Sequence, residues 1–346
     1  MTAVPEALLW GIRRHLAAPA AQVLAVHRRP FAGGLSGSTF ELWRLHVARA
    51  GVQSILTLVY KKGAVVSGAL LRGAPQREAL AYNCLPNAQP LAMPTLIAGD
   101  ILAGDLWFLP LPPAKSTSHW SAAWDAEDVL ATVADLASLH AAYWGEQETL
   151  ARWDWLMQPT GRDMPALLHD ARRGLQSLLE SRAFDACLGE ERLRRLQALA
   201  LDPAPLLQIL HTTPDVLLHG DAGFQNIAIT ERGRRRIWYD WQLAARGPAV
   251  LDLVTFLHPW HYPEAHLSLA PQAIIEHYLL SLRAHGIPLD KTLLRQQLDA
   301  AFVWRWLMQW APLLGLYRHR LRDEVRRRLY HVFDQLHWPA LDRLGK

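Results

Sequence analysis

The stretch His219-Gly220-Asp221-Ala222-Gly223-Phe224-Gln225-Asn226 is preceded by the apolar run Val216-Leu217-Leu218 and followed by a strand-like run, Ile227 to Thr230. A charged turn, Glu231 to Arg235, then leads into a returning strand, Arg236 to Asp240. Sequence of helical period lies on both sides, so this hairpin is a β interlude in a helical region. It gathers a carboxylate (Asp221), a carboxamide (Asn226) and, after the bulky Ile237-Trp238-Tyr239, a second carboxylate (Asp240). A loop followed by a tight hairpin can bring three oxygen-bearing side chains to one edge. Hard oxygen groups of this kind suit magnesium, for which a protein usually supplies only one or two ligands. One acidic group is then left to accept a proton. A lone His-x-Asp carries little information. His219-Gly220-Asp221 with Asn226, a strand ending in Asp240-Trp241-Gln242, then Gly247-Pro248 and Asp252-Leu253, is a specific pattern.

Upstream the chain changes character. Residues 5–16 place Leu8, Leu9, Ile12 and Leu16 at helical spacing. Gln22 to Phe31, Phe40 to Val47 (with a slip in alternation at Trp43) and Ser54 to Lys61 read as three strands joined by short loops, an antiparallel meander. Pro75 to Leu85 reads as a helix with proline in its first turn. Thr95 to Ala98 and Leu106 to Leu109 read as two further strands. Leu109-Pro110-Leu111-Pro112-Pro113 cannot continue a helix or a central strand and reads as a stiff linker. Helical periodicity returns over Asp125 to Trp144, Arg192 to Leu210, Pro271 to His285 and Leu293 to Tyr317. The expected fold class is α+β, with a small antiparallel β-rich lobe over residues 1–109 and a mainly helical lobe over 110–346 that holds one hairpin.

Of the 346 residues 51% are hydrophobic and 20% charged, enough for a sizeable core and too apolar for a disordered chain. The net charge of +4 tolerates anionic ligands such as nucleotides and is too weak to argue for nucleic-acid binding. Cys84 and Cys187 form neither a disulfide framework nor a zinc motif. No apolar run of about 18 residues escapes charge or proline, and the N-terminus lacks the order of a secretory signal. A cytoplasmic protein without membrane insertion is expected.

On these motifs the sequence resembles the aminoglycoside phosphotransferase superfamily, the branch of the protein-kinase-like bilobal fold that includes choline kinases and ecdysteroid-kinase-like proteins. The resemblance spans roughly residues 20–260 by order of elements; beyond that the match is only in being helical. It implies an ATP-dependent kinase acting on a hydroxyl of a small molecule, with Mg2+ and ATP bound. The loop His219–Asn226 would be the catalytic loop, Asp221 the base, and Asn226 and Asp240 the metal ligands. Asp252 would hold the loop in place. The turn Gly33-Gly34-Leu35-Ser36-Gly37-Ser38 lies where a phosphate-cradling loop would lie, with Gly34, Ser36, Gly37 and Ser38 as its candidates, and glycine lets backbone amides approach phosphate closely. By itself it is also an ordinary hairpin turn, and it is no Walker motif. The phosphate-anchoring lysine would be Lys61; strand neighbours face opposite ways, so Lys62 is the alternative. Glu78 is the natural ion-pair partner. Adenine recognition at the linker needs a carbonyl and, two residues on, an amide; Leu109 and Leu111 have that spacing, and Leu111 carries the sole N–H among the prolines.

Other residues admit plainer readings. His219 is a bracing histidine rather than the base, and His140 a satisfied core histidine. The arginines of the 232–236 turn form a solvated turn. Trp304, Trp306 and Trp310 form either core or an aromatic wall for substrate. From residue 260 onward acids are sparse (Glu264, Glu276, Asp290, Asp299 and a few later) and outnumbered by arginines, which argues modestly against a polycationic aminoglycoside and leaves an uncharged or amphipathic alcohol, or a choline-like cation. The competing reading is a nucleotide-binding pseudokinase with a scaffolding role. A metal-dependent hydrolase using His219 and Asp221 would need further ligands that are not near in sequence. The acceptor, the choice of ATP over GTP and the oligomeric state are not written in these motifs.

Overall fold

A computed structural model of the chain describes residues 4–33, 38–63, 68–114, 124–181, 188–230, 232, 234–258, 269–317, 321 and 323–345. Its contacts divide it into two compact units. The first comprises Met1–Ser67, Leu71–Ala114 and Ala228–Leu243; the second comprises Gly68–Leu70, Lys115–Ile227 and Ala244–Lys346.

The first unit opens with helix α1 (Glu6–His15) and strands β1 (Gln22–Gly33), β2 (Thr39–Arg49) and β3 (Val52–Lys62). Helix α2 (Ala74–Cys84) and strands β4 (Leu96–Asp100) and β5 (Asp105–Phe108) follow. The strands form one antiparallel sheet in the order β1-β2-β3-β5-β4. The β2–β3 turn is Ala50-Gly51, with φ of 48° and 80°, and positive φ at both central residues matches the twist of the flanking strands. The slip expected at Trp43 is absent: β2 pairs with β3 without a break from Thr39 to Arg49. Trp43, Leu45 and Val47 share the buried face with Leu58, Tyr60 and Trp107, packed on Leu8 and Ile12 of α1. The amphipathic indole of Trp43 is accommodated on the buried face because its Nε1 donates to Glu41 Oε2 (2.7 Å) while the ring is buried. Side chains on a strand alternate, so Lys61, next to Tyr60, leaves this core for the opposite face.

The hairpin β7 (Ile227–Ile229) and β8 (Arg236–Trp238) pairs with itself. Its second strand is tied to the first unit by Trp238 N–H donating to Ala92 O at 2.8 Å.

The second unit is mostly helical. Helix α3 (Ala126–Ala142) starts on a reciprocal capping box, in which Asp125 accepts from Asp128 N–H and Asp128 from Asp125 N–H. Helices α4 (Gln147–Ala151) and α5 (Met164–Ser181) follow. The single helix expected over 192–210 is two, α6 (Glu190–Leu201) and α7 (Ala204–Leu210), divided at Pro203, which has no N–H to continue the ladder. Strand β6 (Asp215–Leu218) pairs antiparallel with β9 (Ala245–Pro248), so the hairpin is not the only β structure beyond residue 115. Helix α8 (Val250–Leu257) then leads to α9 (Pro271–Ala284) and α10 (Lys291–Arg305).

The helix expected over 293–317 is interrupted too. After α10 comes a π-helical turn, Trp306–Trp310, and then α11 (Ala311–Leu316). A second π turn, Phe333–His337, lies between α12 (Asp323–Val332) and α13 (Trp338–Leu344). In both cases a proline, Pro312 or Pro339, sits two residues beyond the turn. Proline cannot donate to the carbonyl four residues back, and the hydrogen-bond ladder ahead of each slips by one residue.

Candidate active site

The second unit contains the loop from which the sequence analysis began. Strand β6, held by β9, delivers His219 at its end. His219 N–H donates to Asp252 Oδ2 (2.7 Å) and Gly220 N–H to Asp252 Oδ1 (2.8 Å). Gly220 has φ 83°, a conformation that lets successive amides turn onto one carboxylate and that a β-carbon would resist. Asp252 lies in the first turn of α8 and is fully buried. His140 Nε2 also approaches its Oδ2 (3.4 Å), and His140 Nδ1 meets Tyr278 OH (2.7 Å). Asp252 thus braces the loop, and His140 is a satisfied core histidine.

His219 is buried and its Nδ1 accepts from Asp221 N–H (3.3 Å), the geometry of a brace. Asn226 Nδ2 donates to both Asp221 Oδ2 (2.9 Å) and Asp221 O (2.8 Å). That orientation leaves the Asn226 amide oxygen without a described hydrogen-bond donor. Phe224 anchors the loop by packing on Trp124 and Phe256, with ring centroids 4.6 and 5.1 Å away.

The first unit contains a buried ionic cluster. Lys61 Nζ lies 2.6 Å from Glu78 Oε2 and 2.6 Å from Asp240 Oδ1. Lys61 is 5% exposed and is the lysine paired with Glu78 and Asp240, whereas Lys62 is exposed. Burial pushes the Lys61 ammonium down, but Asp240 and Glu78 together outweigh it and the net shift is upward. Glu78 is pushed up to about 7 by burial, with Lys61 pulling it down and Asp240 raising it again. One cation between two carboxylates leaves the cluster a surplus of negative charge, and the most buried carboxylate carries the consequence. Asp240 has φ 64°, unusual for a residue with a side chain. Two groups of α2 hold its segment, and a third holds Lys61. Tyr82 OH accepts from Asp240 N–H (3.1 Å), Arg77 Nε donates to Gln242 O (2.7 Å), and Glu78 reaches Lys61.

No family model matches the sequence, and no curated protein matches it. Solved structures do. They include a GDP complex of an aminoglycoside 2'-phosphotransferase, at 13% identity over 95% of this chain and 97% of that one, TM-score 0.54. The ethanolamine kinase of Plasmodium vivax is similar at 12% identity over 88% and 81%, TM-score 0.51. A choline/ethanolamine kinase family protein from Mesorhizobium loti is similar at 13% identity over 98% and 95%, TM-score 0.50. The fold is the one that these phosphotransferases and kinases share.

Within this phosphotransferase-like fold the first unit brings together Lys61, Glu78 and Asp240, and the second brings together Asp221 and Asn226. Of the glycine turn, Gly34, Ser36 and Gly37 lie outside the described residues, while Ser38 is described and buried. At the linker Leu109 N–H donates to Thr95 O (3.0 Å), and neither the Leu109 carbonyl nor the Leu111 N–H bonds to a described residue. Arg77 and Tyr82 were missed in the sequence. Tyr82 was findable, since it follows Glu78 at helical i, i+4 spacing and shares its face; nothing in the local pattern marks the Arg77 contact with Gln242. Trp304, Trp306 and Trp310 are buried core, with Trp306 and Trp310 packed on Phe333 at 5.9 and 5.7 Å. No cluster of three or more His, Cys, Asp or Glu suited to a metal by itself occurs among the described residues. No helix among them is long and apolar enough to cross a membrane.

Proposed function

We propose that the protein is a cytoplasmic kinase that moves the γ-phosphate of Mg-ATP to a hydroxyl of a small molecule. The observation that carries this reading is the buried Lys61, paired at once with Glu78 and Asp240. Three segments distant in sequence converge to hold an ammonium dry, charged and aimed between two carboxylates, an arrangement suited to a lysine that grips phosphate once a cation engages Asp240. A solved structure of the same fold in complex with GDP supports a nucleotide as the phosphate-bearing ligand.

In this reading Lys61 binds the α- and β-phosphates and Glu78 aims it. Leu109 O and Leu111 N–H meet the adenine edge, and the turn with Gly34, Ser36, Gly37 and Ser38 covers the phosphates. Asp221 accepts the proton of the attacking hydroxyl; its position is fixed from three sides by His219, Asn226 and the amides on Asp252. The donor set fits magnesium. Asn226 presents its oxygen because its NH2 is committed to Asp221, and Asp240 keeps lone pairs beyond those used by Lys61 and Gln242. Magnesium held by these residues would supply positive charge to offset that of the phosphates.

Thermal shift with Mg-ATP and ADP release across an alcohol library test the reading. Mg-ATP is expected to raise the melting temperature and an acceptor to release ADP. Asp221→Asn should keep the thermal shift and lose about a thousandfold in turnover, as for removal of a general base. A flat Mg-ATP response sinks the proposal. A shift with no turnover of any alcohol favours a nucleotide-binding pseudokinase instead.

A further inference from the structure

Gln225 is the one polar side chain of the loop His219–Asn226 that the proposed chemistry leaves without a role. Its Nε2 lies 3.4 Å from Asp221 Oδ1, while Asn226 Nδ2 donates to Asp221 Oδ2 at 2.9 Å. Each oxygen of the candidate base thus faces one carboxamide. A carboxylate only accepts, so the amide must turn its NH2 rather than its oxygen toward Asp221. The two contacts differ in setting. Asn226 is buried, whereas Gln225 and Asp221 are half-buried, so Oδ2 is held from inside the protein and Oδ1 from its more open side.

Gly223 makes the contact with Oδ1 possible. Its φ of −104° and ψ of 164° are extended values open to any residue, so the backbone does not require glycine there. Space does. A β-carbon at 223 would lie 2.7 Å from Gln225 Cδ and closer still to its Oε1 and Nε2, so the carboxamide occupies the volume that a side chain would take. The aim of both amides is fixed by the short 3-10 turn Phe224–Asn226. Phe224 anchors it on Trp124 and Phe256, and Asn226 N–H closes it on Gly223 O (3.0 Å). Stability of the fold does not explain the arrangement. Ordering a long side chain costs rotamer freedom, and one 3.4 Å hydrogen bond at a half-buried position returns little of it.

We propose that Gln225 is a positioning residue, which with Asn226 clamps the Asp221 carboxylate between two carboxamides, and that residue 223 is glycine to make room for it. This rests on the phosphotransferase reading, in which Asp221 accepts the proton, and deepens it. Taking a proton from an alcohol needs the receiving lone pair aimed at the hydroxyl, and a small misplacement of a reacting group costs much of the rate. A single amide on Oδ2 lets a carboxylate turn about that contact; a second on Oδ1 stops it. Each carboxylate oxygen accepts more than one hydrogen bond, so the amide on Oδ1 leaves a lone pair there for the acceptor hydroxyl. Gln225 touches neither nucleotide nor metal in this role, and its loss is felt in turnover rather than in ATP binding.

The test measures kcat and KM for three variants of the full chain. Gln225→Met keeps the length and loses the amide, Gly223→Ala keeps the glutamine and displaces its amide, and the third carries both changes. The acceptor used is whichever alcohol of the library releases ADP fastest from Mg-ATP with the unaltered protein. Each single variant is expected to lose about tenfold in kcat, the worth of one hydrogen bond to a charged group, with KM for ATP and the Mg-ATP thermal shift unchanged. The double variant should lose no more than either single one, whereas independent effects would multiply to about a hundredfold. An unchanged kcat in either single variant, or multiplied losses, overturns the inference and leaves the phosphotransferase reading standing. A crystal structure of the unaltered protein tests the contact without turnover. Gln225 Nε2 on Asp221 Oδ1 upholds it, and a glutamine turned to solvent overturns it even where the variants fail to fold. No turnover of any alcohol by the unaltered protein removes both the role of Asp221 as base and that of Gln225.

Discussion

Lys61 in the first unit is held by charges, and Asp221 in the second is held by hydrogen bonds that carry little net charge of their own. The lysine sits between Glu78 and Asp240 in a buried cluster whose pKa values are displaced. The aspartate rides on a loop pinned by His219, Asn226 and two backbone amides gathered on Asp252. The contrast teaches how each would respond to a ligand. An ionic cluster redistributes charge when an anion or a cation enters, so Lys61 and Asp240 can exchange partners. A loop fixed by amide geometry stays where it is, which is what a proton acceptor requires.

The contrast can be broken first at Asp252, where the largest stability effect is expected. Asp252→Asn sets an NH2 against an amide N–H and should cost about 2–4 kcal/mol, since a buried donor left unmade costs 1–3 kcal/mol and a clash is added. Urea denaturation measures it; a cost under about 1 kcal/mol would mean the loop is held by something else.

The next effect is a pH slope at the ionic cluster. Glu78 has a pKa raised from 4.5 to about 7, so the folded state binds its proton more tightly than the unfolded chain. The stabilisation is fully present below pH 4.5 and is lost as pH rises through 7. The slope is at most about 1.4 kcal/mol per pH unit for one proton. His337, buried and pushed down to about 3, has the opposite sign, losing stability as pH falls below 6.5. The difference in slope between the unaltered protein and Glu78→Gln isolates Glu78, and identical slopes would show that its carboxyl does not titrate in this window.

Tyr82→Phe should have the smallest effect. It removes the acceptor for Asp240 N–H and should cost about 1 kcal/mol, with a few-fold rise in KM for ATP. A larger loss than at Asp252 would reverse the ranking of the two regions.

Much of the site was legible because its chemistry is written locally. Asp221 and Asn226 lie within one loop, and five strands with their turn residues announced the α+β class. What was not legible depended on contacts between distant segments or on the interplay of helix and proline. Trp43 belongs to the alternation once its indole N–H has Glu41 to bond. Strand β9 could not be read from Ala245–Pro248, whose Gly and Pro hide a strand stabilised by β6. The helices over 192–210 and 293–317 looked continuous because apolar spacing survives a proline that the hydrogen-bond ladder does not.

By itself the sequence determined the element types, the loop with Asp221 and Asn226, and the short list of lysines, since these follow from periodicity, turn residues and spacing. Only the tertiary structure showed that Lys61 rather than Lys62 is the buried, paired lysine, because strand alternation allows either face until a core occupies one of them. It alone placed the segment Ala228–Leu243 with the first unit, joined Asp240 to Lys61, and gave Asp252 its two loop amides. It also left Nε and Nη1 of Arg305 buried without an acceptor among the described residues, which no local pattern shows, because the demand for a partner arises only when water has been removed from around a side chain.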